Sequence, residues 1–313
     1  MKPKMRLIVG AAAHFLAWES PFFERRFELV EEASSDAILF AFGPDVFGSS
    51  AHVPALRRVA MLFPGFRFHP YHNAEQRREA LALIDSCYDL VLVNPGPVRE
   101  ALRSSDKVVA CPFSVDAQGL PFRPREAVNS LLHVSAASPQ KDWQRSKEIM
   151  ARTGLRYEVF PPRGRQPLSF SRRVKNLLNR CSAALGRSGS FPPIPAGYVE
   201  HRLVVRKYQQ YDGFVHVAAE HPRYEDGKYT ATLLEAGLTG AILFWHDTLG
   251  LGNDFETIFD LPLEPVAAAD AILRLREALD APRHSQRTHD EILDKCGAEK
   301  AVAFKCEKIE ELL

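Results

Sequence analysis

Short, wholly apolar runs alternate with longer amphipathic stretches along most of this chain. Runs at 7–9, 37–42 and 90–93, and 107–110 after its leading Lys107, have no polar face, as expected of strands buried on both sides of a parallel sheet. Between them, 21–33 carries Phe22, Phe23, Phe27 and Val30 at helical spacing. Further helices are expected over about 53–62, 74–87 and 98–103, with a short strand near 66–69. Strand and helix in alternation over 1–115 predict a doubly wound α/β layer. Residues 112–130 hold three prolines and a glycine without any period, so 116–130 reads as a linker between domains.

The alternation then resumes. Strands are expected at 131–136, 157–160, 214–218 and 241–245, and helices over 142–152, 199–210 and about 229–238, the last ended by Gly240. The fold class is therefore α/β, with two Rossmann-like doubly wound parallel-sheet domains over 1–115 and 131–290. Residues 267–280 and 287–312 read as helices, and the tail 291–313 could pack back on the first domain.

A parallel sheet binds ligands outside the carboxyl ends of its strands, where helix N-termini favour negative charge. Lys141 precedes the 142–152 helix, and Lys228 lies at the mouth of the 229–238 helix. If both are helical, Lys228 and Glu235 share one face two turns apart. That pairing suits a ligand with a pyrophosphate at one end and sugar hydroxyls at the other; an ordinary surface lysine with a solvated glutamate has the same spacing. His14, His69, His72 and Asn94 follow expected strands of the first domain and so fall on its rim. Structural histidines also occupy such places.

The pattern Tyr208-x-x-Tyr211-Asp-Gly-Phe-Val, an acidic glycine-containing loop, and Leu233-Leu-Glu-Ala-Gly-Leu-Thr-Gly240 before a buried strand carry a resemblance. They resemble the donor-binding half of GT-B glycosyltransferases, most of all the large retaining group, glycosyltransferase family 4, that includes sucrose- and glycogen-synthase-like enzymes. Ser114-Val-Asp116 and Phe122-Arg-Pro124 are similar to the family's crossover segment. The resemblance implies that the two domains face a cleft in the GT-B manner, and that a nucleoside-diphosphate sugar is the co-substrate, with no cofactor or metal. By the same resemblance Lys141 contacts the pyrophosphate and Glu235 the ribose, and Tyr198 borders the base. Lys228 and the N–H groups of Tyr229 and Thr230 would add to the phosphate site. Glu225 and Asp226 would lie near the transferred sugar, His14 near the reacting centre, and His69, His72 and Asn94 by the acceptor. The chain departs from the family at Gly227, where a second glutamate is usual, and at Ser135, where an arginine is usual.

Composition narrows the partners. The chain has 313 residues, 46% hydrophobic and 25% charged, with a net charge of +1, so no overall field marks a nucleic-acid or membrane protein. The charge is uneven, however. Residues 163–187 contain seven Arg and Lys and no acid. They read as a solvated helix packed by its apolar stripe, or as a patch for an anionic acceptor: a glycan, a lipid-linked carrier or nucleic acid. The five cysteines are scattered with no Cys-x-x-Cys pair, which fits a reducing cytoplasm, with a peripheral membrane contact through the basic segment left open. Lys2, Lys4 and Arg6 precede an apolar run, but His14 interrupts it, and strand-turn-helix is the expected reading rather than a leader peptide. No transmembrane segment is expected. The alternatives to a transferase are a non-catalytic binding protein of the same fold and a GT-B-fold epimerase or phosphorylase.

Overall fold

The computed structural model describes residues 2–10, 13–64, 68–135, 141–162, 199–218, 230–246 and 254–313. Within the first part, β1 (Lys4–Val9), α1 (Ala13–Arg26), β2 (Glu28–Leu29), β3 (Ile38–Phe42), α2 (Pro44–Ser50) and β4 (Arg57–Leu62) follow one another. Then come α3 (Ala74–Cys87), β5 (Leu90–Val93), α4 (Pro97–Leu102) and β6 (Val108–Ala110). The strands form one sheet in the order β2-β1-β3-β4-β5-β6, every pair parallel. Ile38 to Phe42 and Leu90 to Val93 are buried on both faces, which is why they carry no polar alternation.

The second sheet is built from β7 (Ser130–Val134), α5 (Trp143–Arg152), β8 (Arg156–Phe160), α6 (His201–Gln210) and β9 (Gly213–Val217). It continues with α7 (Ala231–Leu238), β10 (Ile242–His246) and β11 (Ile258–Asp260), followed by α8 (Pro265–Ala278) and α9 (Ala281–Cys296). Its order is β11-β10-β9-β7-β8, again all parallel. Phe214 and Phe244 are fully buried on opposite faces of this sheet, each contributing roughly 1.5–3 kcal/mol by leaving water.

Four sequence expectations change. The helix expected over 53–62 is strand β4, because Val59 to Leu62 fill the slot between β3 and β5 with no exposed face. The first helix starts at Ala13 and ends at Arg26, so Pro21 lies inside it rather than at its start. Beyond it, Glu28 and Leu29 pair with β1 as an edge strand. The tail is not one helix over 287–312: it breaks at Gly297 into α9 and α10 (Ala298–Glu310). Strand β11 was not expected at all; it adds an edge to β10. The short strand near 66–69 falls partly outside the described residues.

The chain passes between the sheets twice, and the two passages touch. Val115 N–H donates to Cys296 O at 2.9 Å, and Ala298 N–H donates to Val115 O at 3.0 Å. From there α10 lies against α1, with Val302, Cys306 and Ile309 in one core with Phe23, Phe27 and Phe40. The linker is held by Arg125, which is buried and donates Nη2 to Tyr208 O (2.7 Å) and Thr239 O (3.3 Å). A guanidinium at the carbonyl ends of α6 and α7 satisfies groups that those helices leave open.

Candidate functional site

In the second sheet β7 has β8 on one side and β9 on the other, so the chain leaves β7 and β9 in opposite directions. Such a reversal opens a crevice outside the carboxyl ends of the two strands. Lys141 follows β7, and Ala218 follows β9; the two form an antiparallel bridge. Asp142 N–H donates to Val217 O at 3.1 Å and Ala218 N–H to His246 O at 3.2 Å, which gathers the ends of β7, β9 and β10 into one rim. Lys141 therefore stands at the switch point, beside the place where the chain leaves β9.

Two helix N-termini approach this rim, and they differ. The side chain of Asp142 caps α5, accepting Arg145 N–H at 3.0 Å, so a carboxylate already occupies that helix end. Thr230 is the N-cap of α7, is buried, and makes no side-chain cap; its Oγ1 instead lies 3.2 Å from Thr232 Oγ1. Of the two, α7 is the end suited to an anion. The helix begins at Ala231, so Lys228 and Tyr229, together with Glu225, Asp226, Tyr198 and the basic segment, lie outside the described residues.

Glu235 sits one turn into α7, with its side chain only 6% exposed. Both of its oxygens are met from α6. Tyr208 Oη donates to Oε2 at 3.1 Å, and His201 Nε2 donates to Oε1 at 3.0 Å. The hydrogen bond to Glu235 raises the His201 pKa, with burial opposing. Burial, and then the nearby carboxylate, push the Tyr208 hydroxyl well above its usual range. Neither α6 residue was singled out from sequence. A signal existed, since His201 and Tyr208 are seven apart and so share a helix face, and Tyr208 belongs to the Tyr-x-x-Tyr pattern. Ser135, where an arginine is usual, is buried and lies 2.7 Å from His133 Nε2 through its hydroxyl.

The first sheet has its own switch point between β1 and β3. His14 lies in the first turn of α1, just past β1, and its side chain is outside the described residues. A residue not anticipated stands there too. The Asp45 carboxylate lies against Gly10, so close that a Cβ on Gly10 would fall 2.0 Å from Oδ2. Asn94 follows β5 and directs its amide toward Cys111 O and Pro112 O, both at 3.5 Å. His69 and His72 flank Tyr71 in the segment before α3; His69 Nδ1 is 2.9 Å from Tyr71 Oη, and the His72 ring meets Tyr71 edge-on. The structure thus places Lys141, Thr230 and Glu235 on or beside one rim, while His69, His72 and Asn94 belong to the other sheet.

Among the described residues no group of three or more His, Cys, Asp or Glu side chains could hold a metal ion, and no helix is long and apolar enough to cross a membrane. No protein-family model matches the sequence, and no curated protein matches it. Solved structures do. HepE of Anabaena, in complex with UDP and glucose, superposes over 99% of this chain and 100% of its own, with a TM-score of 0.61 at 12% identity. Sucrose-phosphate synthase of Thermosynechococcus elongatus covers 100% of this chain and 99% of its own, with a TM-score of 0.62 at 12% identity. TarM of S. aureus matches 90% of the chain, with a TM-score of 0.59 at 12% identity, and the chain spans 55% of its length. With two all-parallel sheets, two interlocked crossings and end-to-end superposition on HepE and sucrose-phosphate synthase, the chain has the GT-B glycosyltransferase fold.

Proposed function

We propose that the chain is a glycosyltransferase that takes a sugar from a nucleoside-diphosphate sugar and passes it to an acceptor. The observation that carries this reading is the meeting of Lys141 with the end of β9 at the switch point of the second sheet. As the bond from the anomeric carbon to the diphosphate breaks, negative charge grows on the leaving group. An ammonium and a helix N-terminus close to that charge lower the barrier. Lys141 and the start of α7 supply these, with Lys228 and the Tyr229 and Thr230 N–H groups completing the phosphate site. Glu235 takes the ribose hydroxyls and Tyr198 borders the base. Glu225 and Asp226 are the candidates for the transferred sugar, and His14, at the start of α1, is the candidate for the reacting centre. His69, His72 and Asn94 line the acceptor side.

Charge neutralisation by these groups asks for no metal, and retention of anomeric configuration follows the group that the sequence resembles. UDP-glucose is the donor to try first, because HepE, with the same fold over its full length, is described with UDP-glucose bound. The acceptor is a glycan, a lipid carrier or nucleic acid engaged by the basic segment 163–187. Free, unpaired Cys87, Cys111, Cys296 and Cys306 support a cytoplasmic setting, with any membrane contact peripheral.

Thermal unfolding with UDP, GDP, ADP and dTDP tests the reading, alongside release of UDP from UDP-glucose. One nucleotide should raise the wild-type midpoint by a few degrees, roughly RT ln(1 + [L]/Kd) of added stability, and Lys141→Ala should lose most of that shift. No shift with any nucleotide and no release of UDP would sink it. A non-catalytic binding protein is a second reading, favoured by the contacts that already occupy Glu235 and by Ser135. It predicts no shift with any nucleotide, and Lys141→Ala that behaves as wild type.

A further inference from the structure

The two contacts on Glu235 differ in kind. Tyr208 has almost no exposure and is fixed in the core between α6 and β9. His201 is 51% exposed at the first residue of α6, where its ring can turn into water at little cost. What it gives Glu235 Oε1 is one N–H donor at 3.0 Å. A ribose hydroxyl offers the same atom one O–H donor at a similar distance. We propose that His201 is a resident stand-in for the ribose hydroxyl on Glu235, so that a nucleotide must displace it and nucleotide affinity is set by that competition. The inference rests on the reading that Glu235 receives the ribose, and adds a residue that decides how tightly the donor is held.

The competition has a proton in it. Among the described residues the charged groups around the ring are Glu235 on α7, and Glu200 and Arg202 beside it on its own segment. Those two pair with each other at 2.6 Å. Tyr208 faces Glu235 from the same helix. While His201 rests on Glu235 its pKa is raised above the ordinary 6.5. Released into water, the ring returns to the ordinary value, so nucleotide binding expels a proton at pH between the two values. Affinity therefore rises with pH across that interval and levels off above it.

The test is calorimetric titration of the full chain with UDP, and with GDP, ADP and dTDP, from about pH 6 to about pH 8. Wild type should gain several-fold in affinity over the range. His201→Ala should bind roughly tenfold more tightly at the acid end, a tenfold change being about 1.4 kcal/mol, and keep only the slope that the nucleotide's own terminal phosphate brings. His201→Gln keeps a donor but no titrating proton, so it should retain the competition and lose the same share of the slope. Tyr208→Phe should bind more weakly and keep the slope. Far-UV circular dichroism of each variant separates a folding defect from a binding effect. A wild-type pH slope no steeper than that of His201→Ala, together with His201→Ala binding no more tightly, overturns the inference and leaves the transferase reading standing. No binding of any nucleotide by wild type overturns both.

Discussion

Lys305 carries its ammonium to a place where only 1% of the side chain meets solvent, opposite Glu19 at 3%. Their 2.5 Å contact joins α10 to α1, while Glu19 Oε2 has no hydrogen-bond partner among the described residues. Removing one charge from such a pair strands the other. Lys305→Met is therefore expected to cost about 3–5 kcal/mol, and Glu19→Leu added to it should recover most of that, because an apolar pair needs no hydration to replace. Urea unfolding of the two variants checks it; a single variant within about 1 kcal/mol of wild type would contradict the assigned burial. Nothing in the sequence shows this pair, since its members are 286 positions apart. Lys141 was legible because a lysine before a helix, after a strand, has few places to be. Glu235 was legible as a position but not in its state. That His201 and Tyr208 already hold it depends on how α6 lies against α7, which no spacing within either helix encodes.

Strands were read where every residue is buried and were misread where polar residues lead in. Arg57 and Arg58 open β4, and the Arg58 N–H is taken by Asp89 Oδ2 at 2.7 Å, so the polar start is the amino end of an interior strand rather than a helix face. A four-residue apolar run has no period of its own, and here the gap between β3 and β5 decided for strand. Glycine punctuation was more informative than its use suggested: Gly240 was read as a helix stop, whereas Gly297, equally visible, divides α9 from α10. Gly240 and Gly154 make a controlled comparison. Both have positive φ, +92° and +69°, but a Cβ on Gly240 would meet Arg123 O at 2.1 Å, whereas nothing lies within 4 Å of one on Gly154. Gly154→Ala should cost about 1–2 kcal/mol, the left-handed penalty alone. Gly240→Ala should cost clearly more, because the linker backbone must move as well. Equal midpoints for the two alanine variants in thermal unfolding would show that the linker does not press on α7.

The two-sheet architecture was legible because buried parallel strands announce themselves one by one, but the way the halves are tied was not. The Val115–Gly297 contact and the α9 helix beside it join segments whose pairing exists only once both sheets have formed. His284 on α9 holds that helix to the second sheet by donating Nε2–H to Thr257 O at 2.8 Å. Its buried ring is held below the ordinary 6.5 by desolvation, with the Thr257 hydrogen bond opposing. The unfolded chain protonates first, so this contribution is complete above pH 6.5 and is lost as pH falls through that value toward the folded one. His201 has the opposite sign: its pKa is raised, so its contribution is complete below 6.5 and is lost as pH rises through the folded value. The two act on opposite sides of pH 6.5, so between them they place a stability maximum near that value. Glu291 adds a third, acid-side step. Burial works against its charge, but Lys295, the Glu256 N–H and the Thr257 hydroxyl outweigh it, and its support is lost as pH falls below the ordinary 4.5. Urea midpoints measured from about pH 5 to about pH 8 should therefore separate by variant. His284→Gln leaves the His201 slope exposed, so its stability should fall with rising pH near neutrality. His201→Gln leaves the His284 slope, so its stability should rise as pH climbs toward 6.5 and stay level above it. Parallel profiles for the two variants would mean that neither ring has the partner assigned to it.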